Sequence, residues 1–167
     1  MKKTLHILNE LKSVNLIKDY AIGGTIAVVF HTEPIFTVDL DIYYIPISDE
    51  TILTLETIYD YLEKKGYKPE DEYVIIEGVP VQFLAVYNEL IEESVRESIT
   101  YRYEDEEETK VVRAEHLIAI LIQTGRPKDK ERLIKMLETV KIDKERLNHI
   151  LEKYNLKAQY DILIENE

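Results

Sequence analysis

The 167-residue chain is 45% apolar and 32% charged, which suits one globular domain with a full core and excludes a disordered tail. With no cysteine, and with His6, His31, His116 and His149 scattered, disulfides, thiolate sites and histidine-pair metal spacings drop out. The net charge of -12 argues against a general nucleic-acid coat, because an acidic surface repels phosphates.

The charge is unevenly spread. Met1 to Thr109 carries 9 basic and 23 acidic residues, Lys110 to Lys157 carries 12 basic and 7 acidic, and the last ten residues carry 3 acidic ones. An anionic ligand should therefore lean on the C-terminal third, unless the excess is merely a solvated helix face. No early basic-then-apolar segment and no apolar run of about 18 residues occurs. The expectation is a cytoplasmic protein without a membrane partner.

Leu5, Leu8, Leu11, Val14 and Ile17 recur at helical spacing, so residues 4–18 read as an amphipathic helix. Tyr20 to Ile22 starts a short strand. Gly23-Gly24-Thr25 is a turn signal, and Ile26 to Phe30 suits a helix that begins at the threonine and ends before Pro34. Ile35 to Ile45 reads as extended: Val38, Leu40 and Ile42 share one face, and Thr37, Asp39, Asp41 and Tyr43 share the other. Aspartate is poorly tolerated in strands. Two on one face ask for a partner.

Ser48 is a candidate N-cap for a helix whose buried stripe is Ile52, Leu55, Ile58, Tyr59 and Leu62, with Gly66 as its stop. "YVIIEGVPVQFLAVY" reads as a hairpin turning at Glu77-Gly78. Asn88 to Ser98 is helical, "YRYEDEEE" reads as a charged loop, and "KVVR" reads as a short strand. From Arg113 the chain is helical, with Gly125 as a stop, Pro127 in a first turn and Asp143 as a cap. The expected architecture is α+β, with a mixed sheet of four or five strands in residues 1–112 and a helical part, residues 113–167, packed on it.

Asp39 and Asp41 lie two residues apart, about 7 Å along a strand, so their carboxylates can share divalent cations. Two such cations steady the attacking and leaving oxygens of a phosphoryl displacement. The Gly23-Gly24-Thr25 turn can approach an anion closely, and the helix after it offers its positive end.

G-G-T, an apolar helix and then T-x-D-L-D resemble the signature of the nucleotidyltransferase superfamily that includes DNA polymerase β, and more narrowly its AbiEii/AbiGii-type toxin branch. The resemblance covers most of the chain, since "RAEHLIAILIQTGRPKDKERL" is similar to that branch's helical segment. It implies a nucleotidyltransferase-like mixed sheet flanked by helices. Gly23, Gly24 and Thr25 would hold a nucleotide triphosphate, and Asp39 and Asp41 would hold Mg2+ as the catalytic pair. Lys128 and Arg126 would bind the triphosphate, with Asp129 positioning the lysine. The acceptor it implies is RNA or a protein hydroxyl, and the setting a toxin-antitoxin pair.

Three positions depart from the pattern. An arginine common four residues before the first aspartate is Ile35. The third carboxylate expected on a neighbouring strand is Gln82, whose amide cannot act as a base. In K-D-x-x-D, the second aspartate is replaced by Arg132. These departures leave two rivals to an enzyme: a catalytically weakened nucleotide-binding regulatory module, and a structural interaction domain. His31, His116 and the tyrosines Tyr43, Tyr44, Tyr101 and Tyr103 fit ordinary structural roles as well as nucleotide contacts. His116 is expected to be half-buried. The residues Arg126, Lys128, Lys130 and Arg132 read either as an anion patch or as a solvated helix face.

Overall fold

A computed structural model of the chain describes residues 1–24, 27, 39–48, 51–104 and 106–165, without the side chains of Lys128 and Glu165. The readings for Thr25, His31, Pro34, Ile35 and Thr37 lie outside the described residues. Helix α1 (Lys2–Ser13) leads into β1 (Ile17–Ile22). The helix is shorter than its apolar spacing predicts because Asn15 takes a left-handed conformation, φ 60°, and Ile17 joins the sheet.

Strand β2 (Leu40–Pro46) is followed by α2 (Thr51–Lys64), β3 (Pro69–Glu70), β4 (Tyr73–Ile76) and β5 (Val79–Ala85). Helix α2 buries Thr54, Ile58 and Leu62, while Ile52 is 75% exposed. The spacing of four between Thr54, Ile58 and Leu62 defines the inner stripe and leaves Ile52 off it. Next come α3 (Glu89–Arg96), β6 (Ile99–Tyr103) and β7 (Glu107–Val111).

The expected loop "YRYEDEEE" is thus mostly a hairpin, in which Tyr101 pairs with Thr109 and Tyr103 with Glu107. Its outer strand β6 is the sheet edge, largely exposed, and carries Arg102, where charge blunts unwanted pairing. Four helices complete the chain: α4 (Ala114–Thr124), α5 (Pro127–Thr139), α6 (Lys144–Lys153) and α7 (Lys157–Glu165). Gly125 ends α4 in the left-handed region, φ 63°, and the Asp143 carboxylate accepts from the amides of Glu145 and Arg146.

The sheet is seven-stranded and mixed, in the order β3-β4-β5-β2-β1-β7-β6. Its strand count exceeds the four or five expected, because β3 and β6 are short or charged edges that the hydrophobic pattern does not announce. Strand β2 is central, antiparallel to β1 and parallel to β5. Both its faces are covered. Leu40, Ile42 and Tyr44 meet the side of α1 and α2, where Phe83 packs edge-on against Tyr44 and Tyr59. On the opposite face Asp41 and Tyr43 alternate with them and stand beside Gln82 and Leu84 of β5.

Candidate active site

Asp39 and Asp41 reach a cleft of about 480 Å³ between the β2/β5 face and the helices α4 and α5. Gly24, Tyr43, Glu72, Gln82 and Leu84 line one side, and Leu117, Ile120, Leu121, Arg126 and Arg132 line the other. An apolar wall with convergent polar groups is an arrangement that can take a small ligand.

The glycine turn is held against β2. The Gly23 amide donates to the Asp41 carbonyl at 2.8 Å, and the Ala27 amide donates to the Gly23 carbonyl at 3.0 Å. A Cβ on Gly23 would strike the Tyr43 ring, and one on Gly24, whose φ is 54°, would strike the Asp41 carboxylate. Glycine is required here for close approach and, at Gly24, for its backbone conformation. Because β2 engages the Gly23 amide, that group is not free to cradle a phosphate.

Burial pushes the Asp41 carboxyl above its ordinary range, and the neighbouring Asp39 charge adds to this, while Arg132 and Arg126 oppose it. Among the described residues no lysine or arginine lies within ion-pair distance of Asp41. A partly buried carboxylate beside a second one, pressed by a glycine backbone and lacking a cationic partner, fits a divalent cation. Asp39 and Asp41 would hold it.

Across the cleft, Asp129 is 1% exposed. It accepts from Arg126 Nε at 2.9 Å and from Arg132 Nη1 at 3.1 Å. The expectation that Asp129 positions Lys128 concerns a side chain outside the described ones; among the described residues Asp129 pairs with two arginines, which at i−3 and i+3 share its helix face. Arg132 thereby enters the site from the position where the branch has its second aspartate. Residues the sequence did not single out are Glu72, Tyr73, Tyr87 and the apolar wall of α4. The spacing of Leu117, Ile120 and Leu121 signals only a helix face, and Glu72 sits in a turn without periodic pattern.

Gln82 is the register partner of Asp41 on β5 and lines the same cleft. Glu77, by contrast, accepts from the Tyr67 hydroxyl at 2.8 Å and lines a different groove with Lys3 and His6.

His116 is fully buried rather than half-buried, because α4 is covered by α3, α5 and α6. Its Nε2 lies 3.3 Å from Glu93 Oε1. Glu93, Glu97 and His116 place ligating atoms within 4.8 Å of one another. Their carboxylates are already taken: Glu93 by Lys153 and by the Tyr154 hydroxyl at 2.7 Å, and Glu97 by Arg146 at 3.2 Å. Those partners neutralise the cluster without a metal.

No protein-family model matches the sequence, and no curated protein does. Among solved structures, the chain is similar to an antigenic nucleotidyltransferase-like protein from Paracoccidioides brasiliensis, with 16% identity, a TM-score of 0.55, and 93% of this chain and 88% of that one covered. It is also similar to ANT(2")-Ia in complex with adenylyl-2"-tobramycin, with 13% identity, a TM-score of 0.54, and 96% and 99% covered. These likenesses span nearly the whole of each chain. The protein has the nucleotidyltransferase-like fold.

Proposed function

We propose that the protein is a metal-dependent nucleotidyltransferase that moves a nucleotidyl group from a nucleoside triphosphate to a hydroxyl acceptor. The observation that carries this reading is the meeting of Asp39 and Asp41 with Arg126 and Arg132 across one cleft. One wall is built for a cation and the other for an anion. A Mg2+-triphosphate has both.

When bound at Asp39 and Asp41, Mg2+ would supply charge neutralisation at the reacting phosphate. Arg126 and Arg132, pre-oriented by Asp129, draw the outer phosphates and stabilise the leaving pyrophosphate. Lys128 is a third candidate for that role. Gly23 and Gly24 keep the chain close to Asp41, so that the phosphates reach the carboxylates, and Thr25 would help to hold the triphosphate. Leu117, Ile120 and Leu121, together with Tyr87, offer an apolar slot for the nucleoside.

The AbiEii/AbiGii resemblance points to RNA or a protein hydroxyl as acceptor and to a toxin role. The adduct named with the ANT(2")-Ia structure adds a small-molecule hydroxyl to the acceptors worth testing. Gln82, neutral where a carboxylate is expected, favours one alternative, a nucleotide-binding regulatory module without turnover. Incubation with each α-labelled triphosphate, Mg2+ and either total RNA, the protein alone or tobramycin separates them. Label on an acceptor supports the enzyme. Mg2+-dependent binding without label transfer supports the regulatory module.

A further inference from the structure

On the reading of Asp39 and Asp41 as a cation pair, we infer that Glu72, positioned by Gln82, supplies the third carboxylate of this cleft in place of the one expected on β5. Asp41 and Gln82 are register partners on neighbouring parallel strands, about 4.8 Å apart, with side chains on one face. Gln82 carries no charge, but its Nε2 donates to Glu72 Oε2 at 3.0 Å. Glu72 stands just before β4, the next strand of the sheet, and lines the same cleft. The acidic group is displaced outward by one side chain and tied back by an amide.

Two observations define its role. Glu72 is exposed, and among the described residues no lysine or arginine lies within ion-pair distance of it, so its charge is not already cancelled. The described trio with ligating atoms within 4.8 Å is the Glu93 cluster, not Asp39, Asp41 and Glu72. Glu72 therefore acts one layer outside the cation held by the aspartates, through its charge and through bridging water. It is a positioning residue. The donor amide of Gln82 suits this arrangement, because a carboxylate at that position would repel Glu72.

The test is Mn2+ binding to the full chain, followed by calorimetry and by the loss of the free-ion electron-spin signal, with circular dichroism as the check of folding. Glu72→Gln should weaken Mn2+ binding by about ten- to a hundred-fold, the usual effect of losing an outer partner of a metal site. Gln82→Ala should weaken it less, because Glu72 remains but is untethered. The double variant E72Q/Q82D, which returns a carboxylate to β5, should bind within a few-fold of the wild type. Glu70→Gln, on exposed β3, should leave binding unchanged. Wild-type affinity in E72Q, or an equal loss in E70Q, overturns the role of Glu72. If Asp41→Asn abolishes binding while E72Q does not, only this inference falls. Absence of Mn2+ binding by the wild type removes the cation pair and this inference together.

Discussion

Gly24 lies directly against the carboxylate of Asp41, with a positive φ and no room for a Cβ. Gly24→Ala must therefore suffer both backbone strain and collision. Gly66 shares the positive φ but has open space around it, so Gly66→Ala isolates the backbone cost. Denaturant unfolding should show G24A destabilised by about 1–3 kcal/mol and by more than G66A. Equal losses would mean that the turn yields and that the contact with Asp41 is not tight.

Asp41→Asn should raise the stability of the cation-free protein while removing Mg2+-dependent ligand binding. The sign follows from the raised carboxyl of Asp41. Above the ordinary carboxylate range the unfolded chain is ionised freely, whereas the folded site resists the charge, so ionisation costs stability near neutral pH until a cation offsets it. Thermal unfolding without divalent ions should show the variant at or above the wild-type midpoint. A lower midpoint would mean that Asp41 has a structural partner.

Asp129→Asn should do the opposite. It removes a buried charge that faces two arginines, and breaking such an arrangement costs about 3–5 kcal/mol where both partners are buried, less here because Arg126 is exposed. The freed arginines should also bind triphosphate less well than before, with monophosphate affected less. Lys128→Ala provides the comparison: loss of one charge-assisted phosphate contact should cost about 1.5–3 kcal/mol of triphosphate binding. Unchanged affinity in both variants would reduce this helix start to a solvated surface.

The buried His116 gives the fold a pH dependence away from the cleft. Burial holds its imidazole below the ordinary value of 6.5, against the opposing pull of Glu93 and Glu97 and with a minor contribution from Arg146 in the same direction as burial. Among the described residues its Nδ1 has no hydrogen-bond partner. As pH falls below 6.5, the unfolded chain takes up a proton that the folded protein resists, so stability declines on the acid side and is full above that value. Urea midpoints at about pH 7.5 and about pH 5.5 should differ more in the wild type than in His116→Gln. A parallel decline in both would assign the effect to the carboxylates instead.

Much of the fold is legible where one force dominates. Gly125, Pro127 and Asp143 mark helix ends by local backbone chemistry, and the alternation through Leu40 and Ile42 marks one face of β2. The hairpin Ile99–Val111 is not legible, because a charge-dense stretch such as Glu104–Glu108 reads as a loop until its partner strand is in place. Within the cleft, Asp39 and Asp41 stand out as costly residues in an apolar run. Glu72 does not, since it is an unremarkable surface charge in sequence and gains a site only through Gln82, and Arg132, which reads equally as a solvated helix face, is aimed into the cleft by Asp129. Side-chain pairing, rather than backbone propensity, decides those positions.

The most direct measurement is the equilibrium binding of a nucleoside triphosphate with and without Mg2+, for the wild type, Asp39→Asn and Asp41→Asn. The account predicts binding that requires Mg2+ in the wild type and is lost in both variants, each of which remains folded by circular dichroism. Triphosphate binding that is indifferent to Mg2+, or that survives in both variants, would contradict it.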